Sequence, residues 1–264
     1  MKKSEFYLFC FLLIVALIVI NGLAVPEEKP VTLTLSAAQS LKDVVTEITD
    51  LYQKQHPQIR VIVNLGGSGS LQRQIEHGAP VDLFISASLE HMENLKDKGL
   101  LHEDTYYQLL RNRLVLVTPK DDLDISGFED LLADKAEVVA LGEPGSVPAG
   151  KYALEALSYF GMDERIKEKA VFARDVREAE AWVESGNARA GIVYITDALG
   201  SKSLRIAAEA PPESHSPIIY PVGVIKNGQV KEAKKMVEFL FSKEAAALFE
   251  KYGFITLPGD DYGF

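Results

Sequence analysis

Two glycine-rich runs hold the most chemistry in this 264-residue chain. Gly66-Gly67-Ser68-Gly69-Ser70 approaches the G-x-S-x-G turn that presents a nucleophilic serine, but Ser70 stands where the second glycine belongs. A hydrolase using Ser68 would need a base. His215 is the candidate, in a loop with Pro211, Pro212 and Pro217, and no spacing ties it to Ser68. Gly145-Ser146-Val147-Pro148-Ala149-Gly150-Lys151-Tyr152 follows the phosphate loop G-x-x-x-x-G-K-[ST] up to its last position. There Tyr152 has no aliphatic hydroxyl to set on magnesium, and Pro148 removes one N–H from the cradle. A tight loop entering a helix, with or without a small anion, fits better than a nucleotide site. The other histidines, His56, His77, His91 and His102, form no paired metal motif, and a single cysteine excludes a disulfide framework and a multi-cysteine zinc site. Taken singly, Ser40 and Ser68 read as helix N-caps and Tyr194 as a core aromatic at a strand end.

The elements around these runs alternate. Strands are predicted over residues 31–35, 59–63, 81–85, 113–118, 138–141, 170–173, 190–194 and 218–225 from β-branched and apolar runs. Helices are predicted over 41–56, 71–77, 151–160, 176–185 and 230–251 from apolar stripes such as Val44, Val45, Ile48 and Tyr52. Pro221 places the 218–225 strand at a sheet edge or in a crossing segment, and residues 210–217 are the one linker-like stretch. The alternation means βαβ units and parallel sheets. In such sheets, ligands bind beyond the carboxyl ends of strands, where helices begin. Residues 36–40, 66–70, 142–150 and 174–176 occupy that place. Helix starts carry free N–H groups and partial positive charge, so these tips suit an anion.

Composition sets the setting. Hydrophobic residues make up 47% and charged residues 25%, the mix of a globular chain and not of a disordered one. The net charge of −10 argues against nucleic acid as a partner. Met1-Lys2-Lys3, the apolar run from Phe6 to Ile20, and the small residues Gly22 and Ala24 read as an export signal over residues 1–24, cleaved after Ala24 or kept as an anchor. Cys10 lies inside the apolar run, so a lipid-anchored cysteine is not expected. An exported chain has little ATP within reach, which weakens any nucleotide reading further.

Several runs together resemble a known family. They are Ser36-Ala37-Ala38-Gln39-Ser40-Leu41, Leu71 to Ile75 with Gly78 to Ala87, Val147 to Ala153, Asp175-Val176-Arg177, Gly191 to Tyr194 and Lys251 to Phe254. In this order, from about Val31 to Phe254, they are similar to the periplasmic molybdate-binding proteins of molybdate ABC transporters. The resemblance implies an α/β, two-lobed type II periplasmic-binding-protein fold, each lobe a mostly parallel sheet flanked by helices. Residues 30–112 with 219–264 would form lobe 1 and residues 113–218 lobe 2, with 113–118 and 218–225 as the two crossing strands. It also implies a site in which the hydroxyls of Ser40, Ser68 and Tyr194 and the N–H groups of Ala149 and Val176 hold molybdate or tungstate. Gln39, Gly67 and Gly69 depart from the family pattern, where small residues or serines stand. Further implications are no enzymatic activity, no cofactor beyond the bound oxyanion, a membrane permease as partner, a monomer, and a place outside the cytoplasm. The alternatives are a receptor for another oxyanion such as sulfate, and a Ser68 hydrolase. Arg177 is expected behind the site or on the helix surface. The chemistry agrees with the resemblance: a fully deprotonated oxyanion only accepts hydrogen bonds, and Ser, Tyr and backbone N–H groups all donate.

Overall fold

A computed structural model describes residues 30–134 and 136–258. The export segment, Cys10 and the last six residues lie outside the described residues. No helix among the described residues is long and apolar enough to cross a membrane.

The chain builds two mixed sheets. The first is assembled from β1 (Val31–Ala38), β2 (Ile59–Gly66), β3 (Leu83–Ile85), β4 (Tyr107–Arg111), β10 (Ile219–Val224) and β11 (Ile255–Thr256), in the order β11-β4-β10-β3-β1-β2. The second contains β5 (Leu114–Pro119), β6 (Val139–Gly142), β7 (Ala170–Ala173), β8 (Ala190–Tyr194) and β9 (Leu204–Glu209), in the order β7-β6-β8-β5-β9. Parallel pairing joins β1 to β3 and β6 to both β7 and β8, where helices make the return. The strands that enter straight from the other sheet, β5 and β10, are antiparallel to both neighbours. β10 is buried throughout and β5 up to Thr118, as befits strands paired on both sides.

The helices follow the apolar stripes. In α1 (Lys42–Gln55) the buried face is Val44, Val45, Ile48, Thr49 and Tyr52. The others are α2 (Ser68–Glu76), α3 (Leu89–Asp97), α4 (Pro148–Tyr159), α5 (Asp163–Lys167), α6 (Val176–Glu184), α7 (Ile195–Gly200), α8 (Val230–Leu240) and α9 (Lys243–Lys251). The single helix expected over 230–251 is two, because Ser242 turns extended and its side chain accepts from the Ala245 N–H, capping α9. Burial of Tyr52 against Phe239, with ring centroids 5.1 Å apart, brings this C-terminal pair back onto α1.

Three expectations change. Strands 113–118 and 218–225 do not span the two sheets; each lies within one. The crossings are Asn112-Arg113, between β4 and β5, and residues 210–218, between β9 and β10. The crossings are tied together, since the Asn112 N–H donates to the Ile218 carbonyl at 3.1 Å and the Ala210 N–H to the Leu114 carbonyl at 2.9 Å. Pro221 is not at an edge: β10 sits between β3 and β4, and the proline is accommodated by a register shift at Tyr220/Pro221. Finally, β4, β9, β11, α3, α5 and α7 had no expectation at all. Their runs are short or mix charge with apolar residues, as in Leu204–Glu209, which leaves no clean period to read.

Candidate functional site

A small cavity between the two sheets is lined by all five residues the sequence singled out: Ser40, Ser68, Ala149, Val176 and Tyr194. It is small: its empty volume, open solvent included, is about 200 Å³. Four elements start there. Ser40 lies in a 3-10 turn (Gln39–Leu41) leading into α1, Ser68 opens α2, Ala149 is in the first turn of α4, and Val176 opens α6. Tyr194 ends β8. Each of these residues is nearly closed to solvent.

The local sequence leaves specific donors over. Pro148 at the first helical position has no N–H, and the Gly150 N–H is already bonded to the Val147 carbonyl at 2.9 Å. The Ala149 N–H is therefore the first donor of α4 left for something else. At α6 the Asp175 side chain caps by accepting from the Glu178 N–H at 3.0 Å, and Glu178 in turn accepts from the Arg174 N–H at 2.8 Å. That leaves Val176, which lines the cavity, at the helix mouth. Asp175 also lines the cavity, and its Oδ1 is engaged in the cap.

Neither serine is the N-cap expected of it. Ser40 Oγ is 2.9 Å from Tyr220 Oη, and Ser68 Oγ accepts from the Ala87 N–H at 3.0 Å. Ser68 is thus held by an amide, the His215 ring nitrogen bonds the Ser216 carbonyl at 2.8 Å, and no histidine among the described residues hydrogen-bonds this serine. The Tyr194 hydroxyl is buried and has no hydrogen-bond partner among the described residues. Burial raises its pKa well above the ordinary phenol value, and the neighbouring Tyr220 hydroxyl adds to this without meeting hydrogen-bond geometry. The group is a neutral donor at physiological pH. Leaving such a donor unpaired costs about 1–3 kcal/mol, so the cavity is built to receive an acceptor.

Charges sit behind and beside the cavity. Arg177 spans the cleft. From α6 its guanidinium reaches Asp43 on α1 while contacting Glu180 at 3.1 Å and lying 3.1 Å from Asp197 Oδ1. Burial works against its cation, but the three carboxylates hold its pKa above the ordinary value. Neither Asp197 oxygen has a well-aimed hydrogen bond, and burial pushes this carboxyl up to about 8 despite Arg177. A carboxyl raised on folding contributes stability that is fully present below its unfolded value of about 3.9 and fades as pH climbs through about 8. We expect the unliganded protein to melt higher near about pH 5.5 than near about pH 8.5, and Asp197→Asn to flatten that slope. A melting curve series in both proteins checks it; a slope of opposite sign would count against the buried neutral acid.

The second glycine-rich run has a structural explanation. A Cβ on Gly150 would lie 1.9 Å from the Gly142 carbonyl oxygen, so glycine is required for α4 to pack on the end of β6. Lys151 does not point into the cavity; it pairs with Glu90 on α3, across the cleft. Gly67 and Gly69 serve closeness too. Added Cβ atoms would meet the Ser146 and Arg174 carbonyl oxygens at 3.0 Å and Ser146 Cα at 2.9 Å, and the Gly69 N–H donates to the Ser146 carbonyl at 3.0 Å.

Sequence reasoning missed Asn112 and Tyr220. Asn112 Nδ2 donates to Tyr220 Oη at 3.1 Å and to Thr196 Oγ1 at 3.0 Å, joining both sheets at the crossing. A lone uncharged polar residue between two apolar strands was the available signal for Asn112. Tyr220 gave none, as an aromatic in an apolar strand reads as core.

A cavity closed between two α/β halves, walled by helix starts and lined with donors, defines a ligand-enclosing cleft protein. The family follows from the sequence comparison: the chain belongs to the bacterial extracellular solute-binding proteins, whose family model matches residues 33–255. This is a binding family that acts outside the cytoplasm, and not an enzyme class. The putative ABC transporter substrate-binding lipoprotein YvgL of Bacillus subtilis is 44% identical over 89% of this chain and 90% of its own length. The molybdate-binding protein ModA of Haemophilus influenzae is 35% identical over 90% of this chain and 95% of its own. Among solved structures, the substrate-binding domain of a putative molybdenum ABC transporter from Clostridium difficile is 45% identical, with a TM-score of 0.68 over 86% of this chain and 99% of that one.

Proposed function

We propose that this protein captures molybdate, and tungstate with it, and hands the ion to an ABC permease. The observation that carries the reading is the lining of the cavity: the orphaned Tyr194 hydroxyl, the spare Ala149 and Val176 N–H groups, and two serines whose oxygens are already engaged. A group dominated by donors suits a tetrahedral dianion that bears no proton. Names of relatives that mention molybdate or molybdenum support the same choice. Sulfate shares the acceptor-only chemistry and is the nearest competitor; the longer metal–oxygen bonds of molybdate would fit a larger cavity of fixed donors.

Residues 30–112 with 219–264 and residues 113–218 act as the two lobes, and closing them on the ion is a hinge motion at the crossings. The chain works as a monomer without catalysis or cofactor. Residues 1–24 direct export, by cleavage after Ala24 or retention as an anchor.

Competitive calorimetry with molybdate, tungstate, sulfate and phosphate tests the function. We expect molybdate and tungstate to bind at least about tenfold tighter than sulfate. No heat with any of the four would overturn the reading. Because the site works through fixed neutral donors, raising salt well above physiological strength should change molybdate affinity by less than about threefold.

A further inference from the structure

The amide of Asn112 has a fixed orientation. Its Oδ1 accepts the Arg113 N–H at 2.8 Å, so the NH₂ group faces Tyr220 and Thr196. The Tyr220 oxygen therefore accepts from Asn112, and its own proton needs an acceptor. Among the described residues that acceptor is Ser40 Oγ, at 2.9 Å. Once the Ser40 oxygen accepts from Tyr220, the Ser40 proton is what remains to face the cavity that Ser40 lines. Tyr220 is fully buried, and burial raises its pKa far above the usual phenol value, so it does not give up this proton to solvent. Ser68 is held in the same sense by a shorter route, since its oxygen accepts from the Ala87 N–H.

We propose that Asn112 and Tyr220 are positioning residues that set the direction of a hydrogen-bond chain, Asn112 to Tyr220 to Ser40, so that Ser40 keeps its proton for the occupant and thereby favours oxyanions that carry no proton. This inference rests on the oxyanion reading above and adds to it the source of its discrimination. A serine free to rotate could turn a lone pair to the cavity and accept from the hydroxyl of hydrogen phosphate. A serine that already accepts from Tyr220 has one lone pair fewer for that hydroxyl and a proton that only the occupant can take. Hydrogen bonds polarise along such a chain, so the effect reaches the cavity although neither Asn112 nor Tyr220 lines it.

Asn112→Asp tests the direction with almost no change of shape. A carboxylate at 112 cannot donate to Tyr220. The phenol then donates to the carboxylate and accepts from Ser40, and the chain runs backwards. We expect molybdate affinity to fall at least about tenfold. The new negative charge penalises every anion, so the deciding quantity is the ratio of molybdate to hydrogen phosphate affinity. It is measured by displacement titration of the full chain at mildly alkaline pH and should also fall about tenfold or more. Tyr220→Phe removes the donor to Ser40 but keeps the ring against Tyr194 and Phe254. It should lower the ratio less, and it decides the matter alone if Asn112→Asp does not fold. A ratio unchanged in both variants, whether the separate affinities hold or fall together, overturns the inference. The wild-type arm stands apart: if it binds no oxyanion, the functional reading itself is lost, and this inference with it.

Discussion

Replacing Ser40 and Ser68 together by alanine is expected to reduce molybdate binding at least about a hundredfold, close to the limit of calorimetric detection. Hydrogen bonds to charged groups are worth about 1.5–3 kcal/mol each, and both hydroxyl protons face the ion in the proposed complex. The double variant also loses stability without ligand, because two inward partners are orphaned at once: the Tyr220 hydroxyl and the Ala87 N–H. Tyr194→Phe is the informative contrast. Its hydroxyl has no partner to strand among the described residues, so the variant should keep or gain thermal stability while binding weakens by about tenfold. Opposite signs of stability and affinity at Tyr194, and like signs at the serines, distinguish a group that waits for a ligand from groups that also hold the fold. Unchanged affinity in the double variant would place the site elsewhere.

Gly69→Ala should produce a second large effect by a different route. Residue 69 lies in the first turn of α2, where alanine favours the helix over glycine by up to about 1 kcal/mol. The unliganded protein should therefore be as stable as the parent, or more so. In the closed arrangement, however, the new Cβ would sit 2.9 Å from Ser146 Cα and 3.1 Å from the Ser146 carbonyl oxygen, both backbone atoms of the opposite half. The halves must part by a few tenths of an ångström or more. The donors contributed by α4 and α6 then move away from those of α1 and α2, and we expect molybdate affinity to drop at least about tenfold. Calorimetry and melting curves read the two signs, and small-angle scattering with ligand present should show a more open particle. A variant that binds like the parent would remove close approach as the reason for glycine here.

The elements that carry the site were legible because each pairs a β-branched strand with a small-residue loop and a striped helix. Residues 170–173 and 190–194 match β7 and β8 to the residue, and α6 starts at Val176 as expected. What single residues could not show is convergence. Ala149 and Val176 have no distinguishing side chain; they matter because Pro148 and Asp175 decide which backbone groups stay unpaired, and only the resemblance drew attention to them. The role of the serines was misread for a related reason. A serine before a helix usually caps it, but here the Tyr220 hydroxyl and the Ala87 amide reach Ser40 and Ser68 from distant segments. The crossings were placed inside strands because apolar runs such as 113–118 are continuous. The change of sheet happens at Asn112-Arg113, where the polarity changes.

Among the described residues two ion pairs span the cleft, Arg177 with Asp43 and Lys151 with Glu90. On the proposed function they bear on time more than on equilibrium. A chain of net charge −10 repels an approaching dianion and slows its arrival. Tight capture must then come from slow departure, and a closed cleft clasped by both pairs lengthens the dwell of the ion. A permease that engages this protein need not pull on the ion at all: offering its own charges to Asp43 and Glu90, or to Arg177 and Lys151, would loosen both clasps, and the cargo would leave at the moment of docking.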